Sequence, residues 1–243
     1  MIHTYTAHLV KKTNLSSDIY RFSFVLDTDE VLEFIPGQYL ILFVPQLGKD
    51  YARRLFSIIS TPSQKDSFEL LVQILPKGLA SQYLLSVEPH EDVVFQGPAG
   101  MFKFTTGQKK SLFLATGTGI APFRSILLSH LSNHRFSVEL LWGIKTYNDL
   151  YLLDELKELA KKHKHFSFKV CLSREQSLEQ IPQDDRPFIA QGRITNELEK
   201  TGNLSYKSEY HYYLCGAREV IESLRQLLYS KGIEKDKVTF EKF

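Results

Sequence analysis

Cysteine is scarce in this chain: Cys171 and Cys215 are the only two in 243 residues. Two thiols cannot hold an iron–sulfur cluster or a four-cysteine zinc site. A disulfide framework is not expected at this length, so a reducing cytoplasm is the expected compartment. An excess of one charge is also missing. Lys plus Arg number 30 against 28 Asp plus Glu, a net charge of +2. No strong field for a polyanion follows, and nucleic acid is not an expected partner. No window reaches about 18 uninterrupted apolar residues, which excludes a membrane-spanning helix. The opening Met1-Ile-His-Thr-Tyr-Thr lacks the charged and apolar blocks of a secretory signal. Internal repeats and low-complexity stretches are absent, and a monomer is expected.

What is present is 43% hydrophobic residues, enough for one large core or two modest ones. The character of the sequence changes near residue 107, which predicts two domains, 1–106 and 107–243. In the first, short runs rich in β-branched and aromatic residues predict strands over Ile2–Lys11, Ile19–Leu26, Tyr39–Val44, Arg54–Ile59, Phe68–Leu75 and Asp92–Gln96. Turn residues separate them, and one short helix is predicted over Ala80–Leu85. This spacing predicts a small antiparallel β-barrel. In the second domain strands and helices alternate. Strands are predicted at Ser111–Ala115, Phe136–Trp142, Phe166–Leu172, Tyr210–Cys215 and Val238–Phe240. Helices are predicted at Ala121–His134, Asn148–Lys162 and Ala217–Lys231. Alternation of this kind implies a parallel sheet wrapped by helices, with ligands beyond the carboxyl ends of its strands.

The stretch Leu114-Ala-Thr-Gly-Thr-Gly-Ile-Ala-Pro-Phe-Arg-Ser-Ile-Leu127 reads as strand, glycine-rich turn and helix. Gly117 and Gly119 admit backbone conformations closed to other residues and let a ligand approach. Thr116 and Thr118 flank them with hydroxyls. The helix beginning near Pro122 turns its free N–H groups and positive dipole end toward the same space, which suits a diphosphate. Three further features look chemical. Arg54-Leu55-Phe56-Ser57 lies on a strand, so Arg54 and Phe56 share one face. Gly78-Leu-Ala80-Ser81 is a turn entering a short helix. Gly97-Pro-Ala-Gly100 is a rigid turn at the junction of the halves. Beyond the third parallel strand, Ser173 and Arg174 supply a hydroxyl and a cation, the combination that suits the 2′-phosphate of NADP. Arg186 is read as structural. Cys171 is read as a core residue.

Taken in order, Arg54-x-Phe56-Ser57, Gly78-x-x-Ser81, Gly97-Pro-x-Gly100 and Gly117-Thr-Gly-x-Ala-Pro122 resemble the ferredoxin–NADP⁺ reductase superfamily over nearly the whole chain. The resemblance implies a flavin-binding antiparallel barrel followed by a nucleotide-binding α/β domain. It implies that Arg54 pairs with the flavin diphosphate and that Phe56, where the family usually has Tyr, lies against the isoalloxazine ring. Leu55 belongs to the same motif. Ser57 approaches flavin N5, and Ser81 with its neighbouring amides, from Gly78 to Ala80, holds the diphosphate. Gly37-Gln-Tyr39 matches a structural strand entry. Trp142-Gly-Ile-Lys145 with Asp149-Leu-Tyr and Glu155-Leu156 matches a second family pattern, which offers Lys145 as a cation for the NADP phosphate. Gly192-Arg193-Ile194 resembles a later segment of the bacterial members, which implies Arg193 as a second candidate beside Arg174. The Cys215-Gly216 pair is placed beside the nicotinamide, Gly216 leaving room for it. The ending Glu241-Lys-Phe243 resembles one in which a terminal ring covers the flavin and yields to nicotinamide, with Glu241 able to pass a proton. Catalytic roles are thereby implied for Ser57, Cys215 and Glu241.

The expected function is an NADPH-oxidising flavoprotein with FAD as cofactor. FAD rather than FMN follows from the resemblance alone. Electrons are expected to pass singly to ferredoxin or flavodoxin, with Lys103, Lys109 and Lys110 as candidate cations for an acidic acceptor. Three rivals remain open: a free-flavin reductase, the reductase component of a multi-chain oxygenase, and a non-catalytic flavin- or nucleotide-binding regulatory subunit.

Overall fold

The computed structural model describes every residue except 1, 47, 106–109, 134–136 and 201–208, together with the side chain of 49 left aside. The expected domain boundary at 106/107, Lys109, and the expected element ends at His134 and Phe136 lie outside the described residues. The chain separates into two compact units: Met1–Phe104 with Ala121–His130, and Thr105–Ile120 with Leu131–Phe243.

In the first unit, β1 (His3–Asn14), β2 (Ile19–Leu26), β3 (Tyr39–Gln46), β4 (Lys49–Ser57), β5 (Ser67–Gln73) and β6 (Asp92–Ala99) form one sheet in the order β4-β3-β6-β1-β2-β5. All its pairings are antiparallel. Alternation along the strands turns one face inward. Phe24, Phe68 and Phe95 meet there with ring centroids 5.0–5.2 Å apart, surrounded by Leu9, Phe22, Leu40, Leu42 and Leu70. Each such ring contributes about 2–3 kcal/mol by leaving water. The two edge strands are joined just beyond β4, where Ile58 bridges Leu70 and the Ile59 N–H donates to the Glu69 carbonyl at 3.0 Å. This closes the sheet into the expected barrel. Ser60 and Glu69 strengthen the closure: the Glu69 N–H donates to Ser60 Oγ at 3.1 Å. The helix α1 (Leu79–Ser86) follows β5. Strand β4 starts five residues earlier than the apolar run implied, because Lys49–Arg53 extend the hairpin with β3 despite their polarity.

In the second unit, β7 (Lys110–Thr116), β8 (Ser137–Ile144), β9 (Phe166–Leu172), β10 (Ile189–Gln191), β11 (Tyr210–Gly216) and β12 (Val238–Lys242) form a wholly parallel sheet. Its order is β10-β9-β8-β7-β11-β12. The chain leaves β7 toward β8, β9 and β10, then returns to the other side of β7 with β11. That reversal makes the β7/β11 boundary the switch point, where such sheets open a crevice. The helices are α2 (Ile120–His130), α3 (Leu153–Lys162), α4 (Ile194–Lys200) and α5 (Arg218–Ser230), of which α2 groups with the barrel from Ala121 onward. The long helix expected over Asn148–Lys162 is broken. Asp149 accepts from the Thr146 N–H and hydroxyl, closing a short 3₁₀ turn at Tyr147–Asp149. Leu152 then turns to φ 59° before α3 begins. Strand β10 and helix α4 were not anticipated. Both are short, and their apolar content, Ile189-Ala190 and Ile194/Leu198, gives too little periodicity to read.

Candidate functional site

The carboxyl edge of the parallel sheet gathers most of the expected nucleotide residues. β7 ends at Thr116 and passes into the 3₁₀ turn Gly117-Thr118-Gly119, and α2 starts at once with Ile120. Pro122 is buried as the third residue of α2. It has no N–H to leave unpaired in the first turn, where none is needed. The two glycines do different work. Gly117 sits at φ +52° with nothing within 4 Å of where a Cβ would project, so this side of the turn is open to a ligand. Gly119 has an ordinary φ. A Cβ there would lie 2.1 Å from the Cys215 carbonyl oxygen, so Gly119 serves close packing of the turn on β11. Gly216 is likewise claimed by protein. Its missing Cβ makes room for Thr116, whose Oγ1 would be 2.0 Å away and accepts the Ala217 N–H at 3.1 Å.

Trp142, fully buried, holds the turn from beneath: its indole N–H donates to the Gly117 carbonyl at 2.9 Å. The sequence showed Trp142 inside a family pattern and gave no sign of this bond. Cys215 is fully buried between its register partners Ala115 and Glu241. Burial first, and the Glu241 charge second, push its thiol well above the ordinary value, so it stands as a neutral thiol. Burial likewise pushes Cys171 up to about 12, as fits a core residue. Strand β12 places Glu241 opposite Cys215 and Lys242 opposite Gly216. The last residue continues that pairing. The Phe243 N–H donates to the Gly216 carbonyl at 3.2 Å and its carbonyl accepts from the Arg218 N–H at 3.1 Å, while the ring is 61% exposed.

On the other flank, β8, β9 and β10 end level with one another, with Ile144 beside Leu172 and Leu172 beside Gln191. Ser173 and Arg174 follow β9, and Arg193 lies two residues beyond β10. All three are exposed. Ser173 Oγ is turned back onto the Ile144 carbonyl at 3.2 Å. The acid beside Arg174 is engaged, since the Glu175 carboxylate accepts the Tyr147 N–H at 2.9 Å. Arg186 donates to the Ile181 and Glu179 carbonyls, the structural role expected of it. Lys103 and Lys110 are half-buried, and Lys110 pairs with Glu209 at 2.7 Å.

In the barrel, the motif residues occupy the end of β4, an edge strand of the sheet. Phe56 is half-buried against the barrel core, opposite Leu40; Ser57 is half-buried opposite Tyr39. Arg54 is exposed and its guanidinium rests on the Arg53 carbonyl at 2.8 Å. Leu55, on the outer face, is 56% exposed. Gly78 precedes α1, whose first N–H groups, on Leu79, Ala80 and Ser81, have no acceptor within the helix. Ala80 and Ser81 are buried. Ser81 Oγ accepts the Leu75 N–H at 2.9 Å, so the hydroxyl fixes the turn and keeps its proton to donate to a ligand.

These features fit both cofactors. An exposed guanidinium on an edge strand, a half-buried ring and a helix start suit a flavin diphosphate. An open glycine turn after β7 with two exposed arginines beyond β9 and β10 suits a nicotinamide dinucleotide. Among the described residues no group of three or more His, Cys, Asp or Glu is disposed to hold a metal ion. No helix among them is long and apolar enough to cross a membrane.

Comparison with known proteins agrees. Residues 6–104 match the oxidoreductase FAD-binding domain family and residues 113–226 the oxidoreductase NAD-binding domain family. The chain is 30% identical to a propane 2-monooxygenase reductase component of Mycolicibacterium goodii, over 87% of this chain and 59% of that one. It thus spans about three fifths of that relative's length. It is 28% identical to ferredoxin–NADP reductase B of Sorangium cellulosum, over 98% of this chain and 97% of the other. The crystal structure of an Amycolatopsis cytochrome P450 reductase superposes with a TM-score of 0.85 at 27% identity, covering all of this chain and 70% of that one. With both halves matched in order, the chain belongs to the ferredoxin–NADP⁺ reductase superfamily of FAD- and NAD(P)-dependent oxidoreductases.

Proposed function

We propose that this protein draws a hydride from NADPH and delivers electrons singly to a small acidic redox protein, ferredoxin or flavodoxin, with FAD bound throughout. The observation that carries the choice of NADPH is the loop after β9. Arg174 is exposed there while the neighbouring acid, Glu175, is bonded to the Tyr147 amide. An NAD-selective site keeps such an acid for the ribose 2′-hydroxyl.

Bound FAD supplies the conversion of one two-electron transfer into two single ones. The chain's own residues supply placement. Arg54 and the start of α1 bind the flavin diphosphate, and Phe56 packs on the ring. The Thr116–Gly119 turn takes the nucleotide diphosphate, and Arg174 with Arg193 takes the 2′-phosphate. Hydride transfer needs the reacting atoms about 3–3.5 Å apart and little proton chemistry. Cys215 and Gly216 therefore act as a neutral, closely packed wall rather than as an acid or base. Ser57 offers a hydroxyl to the flavin, and Glu241 is a carboxyl available for proton transfer. Phe243 is the ring that nicotinamide displaces.

The similarity to a propane 2-monooxygenase reductase component favours a second reading, in which the acceptor is a separate oxygenase protein. Both readings share the first half-reaction. Anaerobic mixing of the flavin-loaded protein with NADPH and with NADH, followed by flavin absorbance, tests it. Faster bleaching by NADPH is expected, and Ser57→Ala should slow bleaching with flavin retained. Equal rates with both nucleotides would remove the NADPH assignment. Re-oxidation by added ferredoxin or flavodoxin then separates the acceptors.

A further inference from the structure

The loop that follows β9 is tied down from several directions. The Ser173 and Arg174 N–H groups donate to the Ile144 and Lys145 carbonyls at 2.9 and 2.8 Å. The Gln191 side-chain amide donates to the Glu175 and Gln176 carbonyls at 3.1 and 2.9 Å. The Glu175 carboxylate accepts the Tyr147 N–H. Further on, Asp185 accepts the Tyr147 hydroxyl at 2.5 Å and the Lys157 ammonium at 2.6 Å. Tyr147 therefore holds both ends of the loop, one through its backbone and one through its ring. Arg174, immediately before the Glu175 anchor, is exposed.

We infer that Glu175 is a positioning residue for nucleotide selection: its carboxylate, latched on the Tyr147 amide, sets the backbone from which Arg174 reaches a 2′-phosphate. The inference rests on the reading of Arg174 given above. It assigns Glu175 a role through hydrogen-bond acceptance, not through charge. A carboxylate free beside Arg174 would oppose a phosphate, whereas a latched one orients the cation. Gln191 and Asp185 complete the latch from the other sides.

Binding of adenosine 2′,5′-bisphosphate and of 5′-AMP to the full chain, measured by calorimetry, isolates the 2′-phosphate without turnover. Arg174→Ala should abolish the preference for the bisphosphate. Glu175→Ala should weaken the bisphosphate about fivefold, the change expected for one hydrogen bond, and leave 5′-AMP binding as it was. Glu175→Gln should restore the preference, because its amide oxygen accepts the same N–H. Gln191→Leu should act in the direction of Glu175→Ala and decides the matter if that variant does not fold. Several results would overturn the inference. One is an unchanged preference in Glu175→Ala while Arg174→Ala loses it. Another is a Gln variant as weak as the Ala one, and a third is an equal loss for both nucleotides. An unchanged preference in Arg174→Ala would instead remove the reading of Arg174, and the inference with it.

Discussion

The two units build their proposed diphosphate sites in opposite ways. The barrel presents side chains: Arg54 stands exposed on an edge strand, its guanidinium donating to the Arg53 carbonyl. The parallel sheet presents backbone. Its turn is shaped by the absence of side chains, with Gly119 pressed on the Cys215 carbonyl and Gly216 on Thr116. A side chain can be lost without disturbing the sheet beneath it. A backbone cradle is inseparable from the packing that forms it.

The largest expected effect tests that inseparability. Gly119→Ala drives a methyl into the Cys215 carbonyl and should cost about 3 kcal/mol of stability, since backbone rather than a flexible tip must move. Gly117→Ala meets open space and should cost only the left-handed penalty, about 1 kcal/mol. Denaturant unfolding of the pair reads the difference; similar losses would dissolve the contrast between the two glycines. Next in size, Arg54→Ala should weaken FAD by about 2 kcal/mol, the value of a charged hydrogen bond, while apo-protein stability stays within about 0.5 kcal/mol. A flavin titration beside a melting curve sharpens the comparison, and a large drop in apo stability would break it.

The smallest effect is on pH dependence in the nucleotide unit. The hydrogen bond to Asp185, with burial second, raises the Tyr147 hydroxyl from the ordinary 10.0 to about 12. Burial raises the Asp185 carboxyl, but the bonds from Lys157 and Tyr147 outweigh it and hold the group below its usual range. Tyr147 keeps its proton longer when folded, so its contribution is whole below pH 10 and is lost between 10 and about 12. That of Asp185 is lost on the acid side, as pH falls through its lowered value. Comparing tyrosinate absorbance of the wild type with Tyr147→Phe should show one late-ionising tyrosine; two superimposable curves after scaling would deny it.

Much of this was legible in the sequence because it is written in local patterns. Short runs of β-branched and aromatic residues between turns announced the barrel strands, and the alternation of strand and helix announced the parallel sheet. Thr116–Gly119 declared itself as a strand-to-helix turn. What stayed hidden depends on residues far apart in the chain. Gly119 looks like Gly117 until Cys215 is placed behind it. Trp142 is one member of a family pattern until the Gly117 carbonyl is found above it. Glu175 is only the residue after Arg174 until Tyr147, 28 residues earlier, meets it. The helix expected from Asn148 failed for a nearer reason: Asp149 bonds back to Thr146 and spends the first turn as a separate 3₁₀ turn.

The barrel's closing bridge bears on how its motif behaves in time. Ser57 ends β4, and Ile58, the next residue, is the bridge to Leu70. The proposed flavin motif and the seam are thus one continuous piece of chain, and a fluctuation that parts the edges also moves Arg54 and Phe56. Flavin held there, as proposed, is then a clasp on the seam. Amide hydrogens of Ile58 and Ile59 should exchange slowly when flavin is bound and faster when it is removed, making that short segment a direct gauge of cofactor residence.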